Sequence, residues 1–278
     1  MFCELDHRFG QGDALQELGA VHSQTGNYAA AAEGLQHALT LYRDIGHRLG
    51  QAGALIQLGV VQMQTGDLTA AAERLQQALT LSRNIGYRLG QGEALYRLGT
   101  VQRLTGDYPA AAASHHEALD VFRDLGHRLR EAVALNSLGE LATRTANTPQ
   151  AREHHTQALA IARDVGAAPD EACALEGLGH SHLQDGNPGQ ATEYLRQALA
   201  IYQRIDAPAA RRVQETLHQH GLTSATTEPA ASSSEGNRPR TPSHRKKPSR
   251  DKSSAGSAAE QPDLRGHPSA GTKQRERA

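Results

Sequence analysis

Histidine is the residue type best placed to do chemistry in this sequence. Fifteen of its 278 residues are His, and several stand close together: His115-His116, His154-His155, His180 with His182, and His218 with His220. Imidazoles at such spacings can ligate a metal or titrate near neutral pH. His115 and His155 lie forty residues apart, so neighbouring helices are expected to bring their rings together. No Cys, Asp or Glu shares their register to complete a coordination set, so the rings are read as amphipathic filling of a half-buried column and no metal site is assigned. Cys3 and Cys173 are too few for a disulfide framework, and no pair has the Cys-x-x-Cys spacing of a thiolate zinc site. Cys173 is read as a small apolar helix residue and Cys3 as inert. The sequence has no Gly-rich phosphate loop ending in Gly-Lys-Ser/Thr, no Gly-x-Ser-x-Gly elbow and no His-Glu-x-x-His helix. Catalysis is not expected, and no cofactor is assigned.

Charge divides the chain in two. The formal charge of -1 is the sum of -6 over residues 1–222 and +5 over residues 223–278. All four Lys (Lys246, Lys247, Lys252 and Lys273) lie in the second part. That part carries ten Ser and six Pro and no aromatic residue. It cannot bury enough apolar area to offset chain entropy, and a disordered basic tail is predicted there. Its run Ser243-His244-Arg245-Lys246-Lys247 is the one place where nucleic-acid contact is considered, and a solvated tail is preferred. No stretch of 18 apolar residues and no secretory signal is present, which predicts a cytoplasmic chain with no membrane partner.

The elements that must position these residues come from an internal repeat. From His7 the chain divides without a gap into blocks 7–46, 47–86, 87–126, 127–166 and 167–206. Ala14, Leu15, Leu18 and Gly19 recur in all five, as do Ala31, Ala38 and Leu39. Offsets of 1, 3, 4 and 7 describe a helix face, so each block is predicted to hold two helices. Gly26-Asn27, Gly66-Asp67, Gly106-Asp107 and Gly186-Asn187 supply a turn and an N-cap between them. Gly46, Gly86, Gly126 and Gly166 end the second helix of each block. A glycine inside a helix costs about 1 kcal/mol relative to Ala; close approach of Gly19 and Ala38 across the helix pair is the predicted compensation.

The pattern Leu15, Leu18-Gly19, Ala31, Leu35 and Ala38 resembles the tetratricopeptide repeat, with Leu15 where that family often has Trp and His22 where it often has Tyr. A forty-residue period resembles its long-helix subclass. Blocks reading Gly46-His47-Arg48-Leu49-Gly50-Gln51-Ala52 are most similar to actinobacterial regulators. The resemblance implies an all-α, right-handed α-solenoid with the first helix of each block on the concave face. It thereby selects a groove: Ile56, Val60, Met63, Tyr96 and Leu104 as an apolar centre with Arg103 beside it, and Asn136, Glu140 and Arg144 as polar neighbours in block four. The Lys/Asn clamp of chaperone cofactors is missing from the matching columns.

The ends depart from the repeat. Residues 1–6 align with the end of a second helix and read as the remnant of a preceding repeat, leaving an uncapped end through which a second chain could pair. Residues 207–222 read as a capping helix with Val213, Leu217 and His220 on its apolar spacing, closed at Gly221. The reading is a non-catalytic protein-interaction scaffold that binds a peptide or partner helix in the concave groove and serves regulation. The alternative is the sensory portion of a bacterial transcriptional or signalling regulator that works with a separate DNA-binding or nucleotidase domain.

Overall fold

Two helices per forty residues is what the chain forms. The computed structural model describes residues 2–222; the predicted tail and its nucleic-acid reading lie outside the described residues. Among these there are eleven helices and no strand: α1 (Phe2–Gln24), α2 (Tyr28–Asp44), α3 (Arg48–Thr65), α4 (Leu68–Asn84), α5 (Arg88–Leu104), α6 (Tyr108–Asp124), α7 (Arg128–Arg144), α8 (Thr148–Asp164), α9 (Ala168–Gln184), α10 (Pro188–Arg204) and α11 (Ala209–Gln219). None of them is long and apolar enough to cross a membrane.

The boundaries follow the cap chemistry. Asp67 and Asp107 accept from the N–H of Ala70 and Ala110 at 3.1 Å, and Asn27 and Asn147 accept from Ala30 and Gln150 at 3.4 Å. Asn187, predicted to cap α10, makes no such bond. The eight glycines of the inter-helix turns have φ between 64° and 85°, the left-handed region that costs other residues energy. Two blocks lack the glycine. Ala146 (φ 56°) and Asp206 (φ 52°) adopt the same conformation in its place.

Each helix packs on the next along the chain, and the odd-numbered helices also touch one another: α1 with α3, α3 with α5, α5 with α7 and α7 with α9. Among the described residues no two even-numbered helices approach to that extent. The odd helices therefore line the inner side of the solenoid. Between the layers, Ala31, Leu35, Ala38 and Leu39 and their equivalents in α4 close completely or nearly so. The helical glycine is explained by a different neighbour from the one expected: a Cβ on Gly59 would lie 2.7 Å from Leu75 Cγ, so Gly19 and its copies make room for the Leu35 column and not for Ala38.

Both ends differ from the sequence reading. Residues 2–6, read as the remnant of a preceding helix, are continuous with α1. At the other end α11 buries Val213 and Leu217, but His220 is exposed at its C-cap. Leu222, two residues further on, packs on the core instead, and Arg196 of α10 donates to its carbonyl at 3.2 Å.

Candidate functional site

The inner face divides into an apolar strip and a polar pocket. Ile56, Val60 and Met63 on α3 and Tyr96 on α5 are half-buried, and Leu104 at the end of α5 is 49% exposed. Ile56 and Tyr96 pack partly on the main core, and the Tyr96 ring lies 5.4 Å from that of His115. These five apolar residues, which the resemblance had assigned to a groove, sit on the neighbouring helices α3 and α5.

The polar residues assigned to the groove are engaged within the fold. Arg103 Nη1 pairs with Glu140 Oε1 at 3.1 Å, joining α5 to α7. Arg144 donates to the Tyr108 hydroxyl at 2.9 Å and 3.3 Å while lying over its ring. Asn136 is 5% exposed. Its Nδ2 donates to the Asp170 carbonyl at 3.0 Å, which leaves Oδ1 as an acceptor 3.2 Å from His155 Nδ1. Arg130 with Glu93 (2.7 Å), Ser23 with Gln64 (2.7 Å) and Gln184 with the Thr143 carbonyl (3.2 Å) continue the series. Side chains about one repeat apart thus tie successive blocks together.

A cavity of ≈ 450 Å³ lies beyond this series, lined by Asn136, Arg144, His155, Cys173, Glu176 and Arg212 among others. Glu176 is its charged centre, 6% exposed. Arg212 reaches it from α11 with two bonds of 2.8 Å and 2.7 Å, Tyr202 donates at 3.0 Å, and His180 Nε2 stands 3.6 Å away. Burial alone would raise its carboxyl; the contacts from His180, Arg212 and Tyr202 outweigh burial and hold it at about 2. Cys173 is accessible at the groove surface, but desolvation by the groove walls, then the charges of Glu176 and Asp170, push its thiol up to about 12. Such a thiol is protonated at neutral pH and unreactive.

The histidines are arranged differently from expectation. His115 and His155 do not face each other; each fills the Leu35 slot of its own block. His115 packs where a Cβ on Gly99 would sit 2.9 Å from its ring, and the His155 ring is wedged between Gly139 and Gly177. Burial is the main cause that pushes both down to about 4. The rings that approach across blocks are their neighbours, His116 and His154, at 5.9 Å between centroids. Among the described residues no group of three His, Cys, Asp or Glu is placed to hold a metal.

Sequence reasoning missed the Glu176, His180 and Arg212 cluster. Two signals were available. Position 177 is Gly where the other blocks carry Glu17, Gln57, Arg97 and Ser137, which marks a gap in the wall. Glu176 and Arg212 are 36 residues apart, close to the repeat length at which the other inter-block pairs occur.

A family model described as tetratricopeptide repeat matches residues 10–84, 50–124, 90–164 and 130–204, registers that step by forty residues along the helix pairs described above. This chain belongs to the tetratricopeptide repeat family. Its repeats indicate a protein-interaction scaffold. No curated protein matches it. Among solved structures it is similar to BtubC (BKLC) from P. vanneervenii, at 17% identity and a TM-score of 0.54, covering 88% of this chain and 99% of that one. It is also similar to a Signal Transduction ATPase with Numerous Domains protein with a tetratricopeptide repeat sensor from Pyrococcus horikoshii, at 18% identity and a TM-score of 0.66, covering 74% of this chain and 31% of that one. A third is aspartyl phosphate phosphatase F from Bacillus subtilis, at 12% identity and a TM-score of 0.57, covering 76% and 60%. At these identities the likeness is one of fold.

Proposed function

We propose that this tetratricopeptide repeat protein is a non-catalytic, cytoplasmic, regulatory scaffold that binds a peptide or helix of a protein partner along its inner face. The observation that carries the reading is the apolar strip of Ile56, Val60, Met63, Tyr96 and Leu104, which stays accessible on the face where the odd helices converge. Full burial of a leucine-sized side chain contributes roughly 1.5–3 kcal/mol, and the strip offers five apolar side chains for a partner to cover against the costs of association. Arg103 and Glu140 flank the strip as a fixed pair that sets register rather than affinity. Arg144 and Asn136, held by Tyr108, Asp170 and His155, shape the wall.

Selection from a displayed random-peptide library tests this. Enriched peptides are expected to share apolar residues at one spacing and to lose binding to Leu104→Glu and Met63→Glu proteins that melt as the wild type does. Enrichment that survives both substitutions assigns the ligand to another surface. The second reading, a sensory portion working with a DNA-binding or nucleotidase domain, is supported by the fold shared with the sensor-bearing Pyrococcus protein. It requires that the groove ligand change the activity of such a domain when the two are mixed.

A further inference from the structure

The cavity of blocks four and five contains a buried polar atom that nothing in the fold satisfies. His155 is 2% exposed and lines the cavity beside Gly177. Its tautomer follows from its neighbours. The Asp170 carbonyl can only accept, so Asn136 turns Nδ2 toward it at 3.0 Å and leaves Oδ1 facing His155 Nδ1 at 3.2 Å. Nδ1 of the ring therefore carries the proton, and Nε2 is a bare lone pair. Among the described residues Nε2 has no hydrogen-bond partner. The Gly139 carbonyl beside the ring is an acceptor too, and it already takes the Thr143 hydroxyl at 2.9 Å. A donor brought in from outside would recover what this unmet acceptor costs. One residue keeps the nitrogen on the cavity wall: a Cβ on Gly177 would lie 2.2 Å from Nε2, and the other blocks carry Glu17, Gln57, Arg97 and Ser137 in that column.

The charges around the cavity do not balance. Arg212 is paired with Glu176, and Arg103 with Glu140. Arg144, the remaining guanidinium of the lining, bonds only the uncharged Tyr108 hydroxyl. Three guanidinium groups thus meet two carboxylates, and a third carboxylate would complete the set. We propose that this cavity binds a small aliphatic carboxylate that also bears a hydroxyl or amide N–H, with the carboxylate on Arg144 and the hydroxyl or N–H donating to His155 Nε2. Arg144 lies five residues beyond Gly139 on α7, about 7.5 Å along the helix axis, so the two groups of the ligand are separated by a few carbons. A cavity of ≈ 450 Å³ holds a molecule of that size. The site is separate from the apolar peptide strip and does not depend on it.

Nitrogen-15 NMR of the full chain labelled in its histidines tests the proposal at pH 7.5. The probes are 4-hydroxybutyrate, 5-hydroxypentanoate and 6-hydroxyhexanoate, together with the hydroxyl-free acid and the uncharged hydroxyamide of whichever binds best. In the free protein the His155 Nε2 signal should be that of an unprotonated nitrogen. The best hydroxy acid is expected to shift it, and its hydroxyl-free and uncharged analogues should each bind about tenfold more weakly. His155→Leu keeps the slot filled as Leu35, Leu75 and Leu195 do, and it should abolish the preference for the hydroxyl alone. Arg144→Gln should abolish the preference for the carboxylate alone. Leu104→Glu and Met63→Glu, which do not line the cavity, should bind the probe as the wild type does, so this site and the peptide strip are judged separately. The proposal is overturned if none of the three hydroxy acids binds, if binding leaves Nε2 unmoved, or if either preference survives its substitution.

Discussion

Replacing His115 by Leu should stabilise the array and flatten its response to acid. Leu35, Leu75 and Leu195 fill the same slot in other blocks with no exposed surface, as His115 does here. Among the described residues, neither ring nitrogen of His115 has a hydrogen-bond partner. A buried polar group left unpaired costs about 1–3 kcal/mol, and leucine removes that cost while keeping contact with Gly99. At pH 7.5 the melting temperature of His115→Leu should therefore rise by several degrees, at roughly 2–4 °C per kcal/mol for a chain of this size.

The pH dependence has a definite sign. Burial lowers His115 from 6.5 to about 4, so between those values the unfolded chain binds the proton and the folded chain does not. Stability is full above pH 6.5 and is lost as the pH falls toward 4. Between pH 7.5 and 5.5 the loss is about 1.3 kcal/mol for one such ring, and His155, also held near 4, adds a similar amount. Melting curves at the two pH values should show a fall of roughly 5–10 °C for the wild type and about half of that for His115→Leu. A variant that melts below the wild type at pH 7.5, or one whose pH response is unchanged, would refute the reasoning.

Other perturbations follow from the same geometry. Ala146 is held at φ 56° where most blocks have glycine; Ala146→Gly should stabilise by about 0.5–1 kcal/mol, read as a rise in melting temperature of a few degrees. Arg212→Ala leaves the Glu176 carboxylate with Tyr202 and His180 alone, so hydrogen exchange in α11 should accelerate markedly while α3 to α6 keep their protection. In the wild type the Glu176 contribution is present above pH 4.5 and is lost as the pH falls toward 2. Cys173 is accessible, yet its thiol is held at about 12. In a Cys3→Ser chain at pH 8, alkylation should run on the order of a thousandfold slower than for a free thiol, and a rate near that of glutathione would contradict the assignment.

The architecture was legible because the repeat writes its own constraints. Ala31, Leu35 and Leu39 recur at helical spacing, and Asp67 and Asp107 stand where a helix start needs an acceptor, so element type and length followed from local chemistry. Placement across blocks was harder to read. Arg103 and Asn136 look like free groove donors because their acceptors, Glu140 and the Asp170 carbonyl, lie more than thirty residues away. His115 and His155 share a column, but their rings do not meet: His115 packs on Gly99 of its own block and His155 between Gly139 and Gly177, while their neighbours His116 and His154 approach each other across blocks. Helix spacing fixes which face a residue is on; which neighbour it meets depends on how the blocks stack.

The central claim is that a peptide lies along the inner strip between α3 and α5. Hydrogen exchange of the protein with and without a saturating library-selected peptide measures this directly. Protection is predicted to appear around Ile56 to Met63 and Tyr96 to Leu104, to leave α4 and α6 unchanged, and to vanish with Leu104→Glu. Protection confined to α4 and α6 would contradict the account.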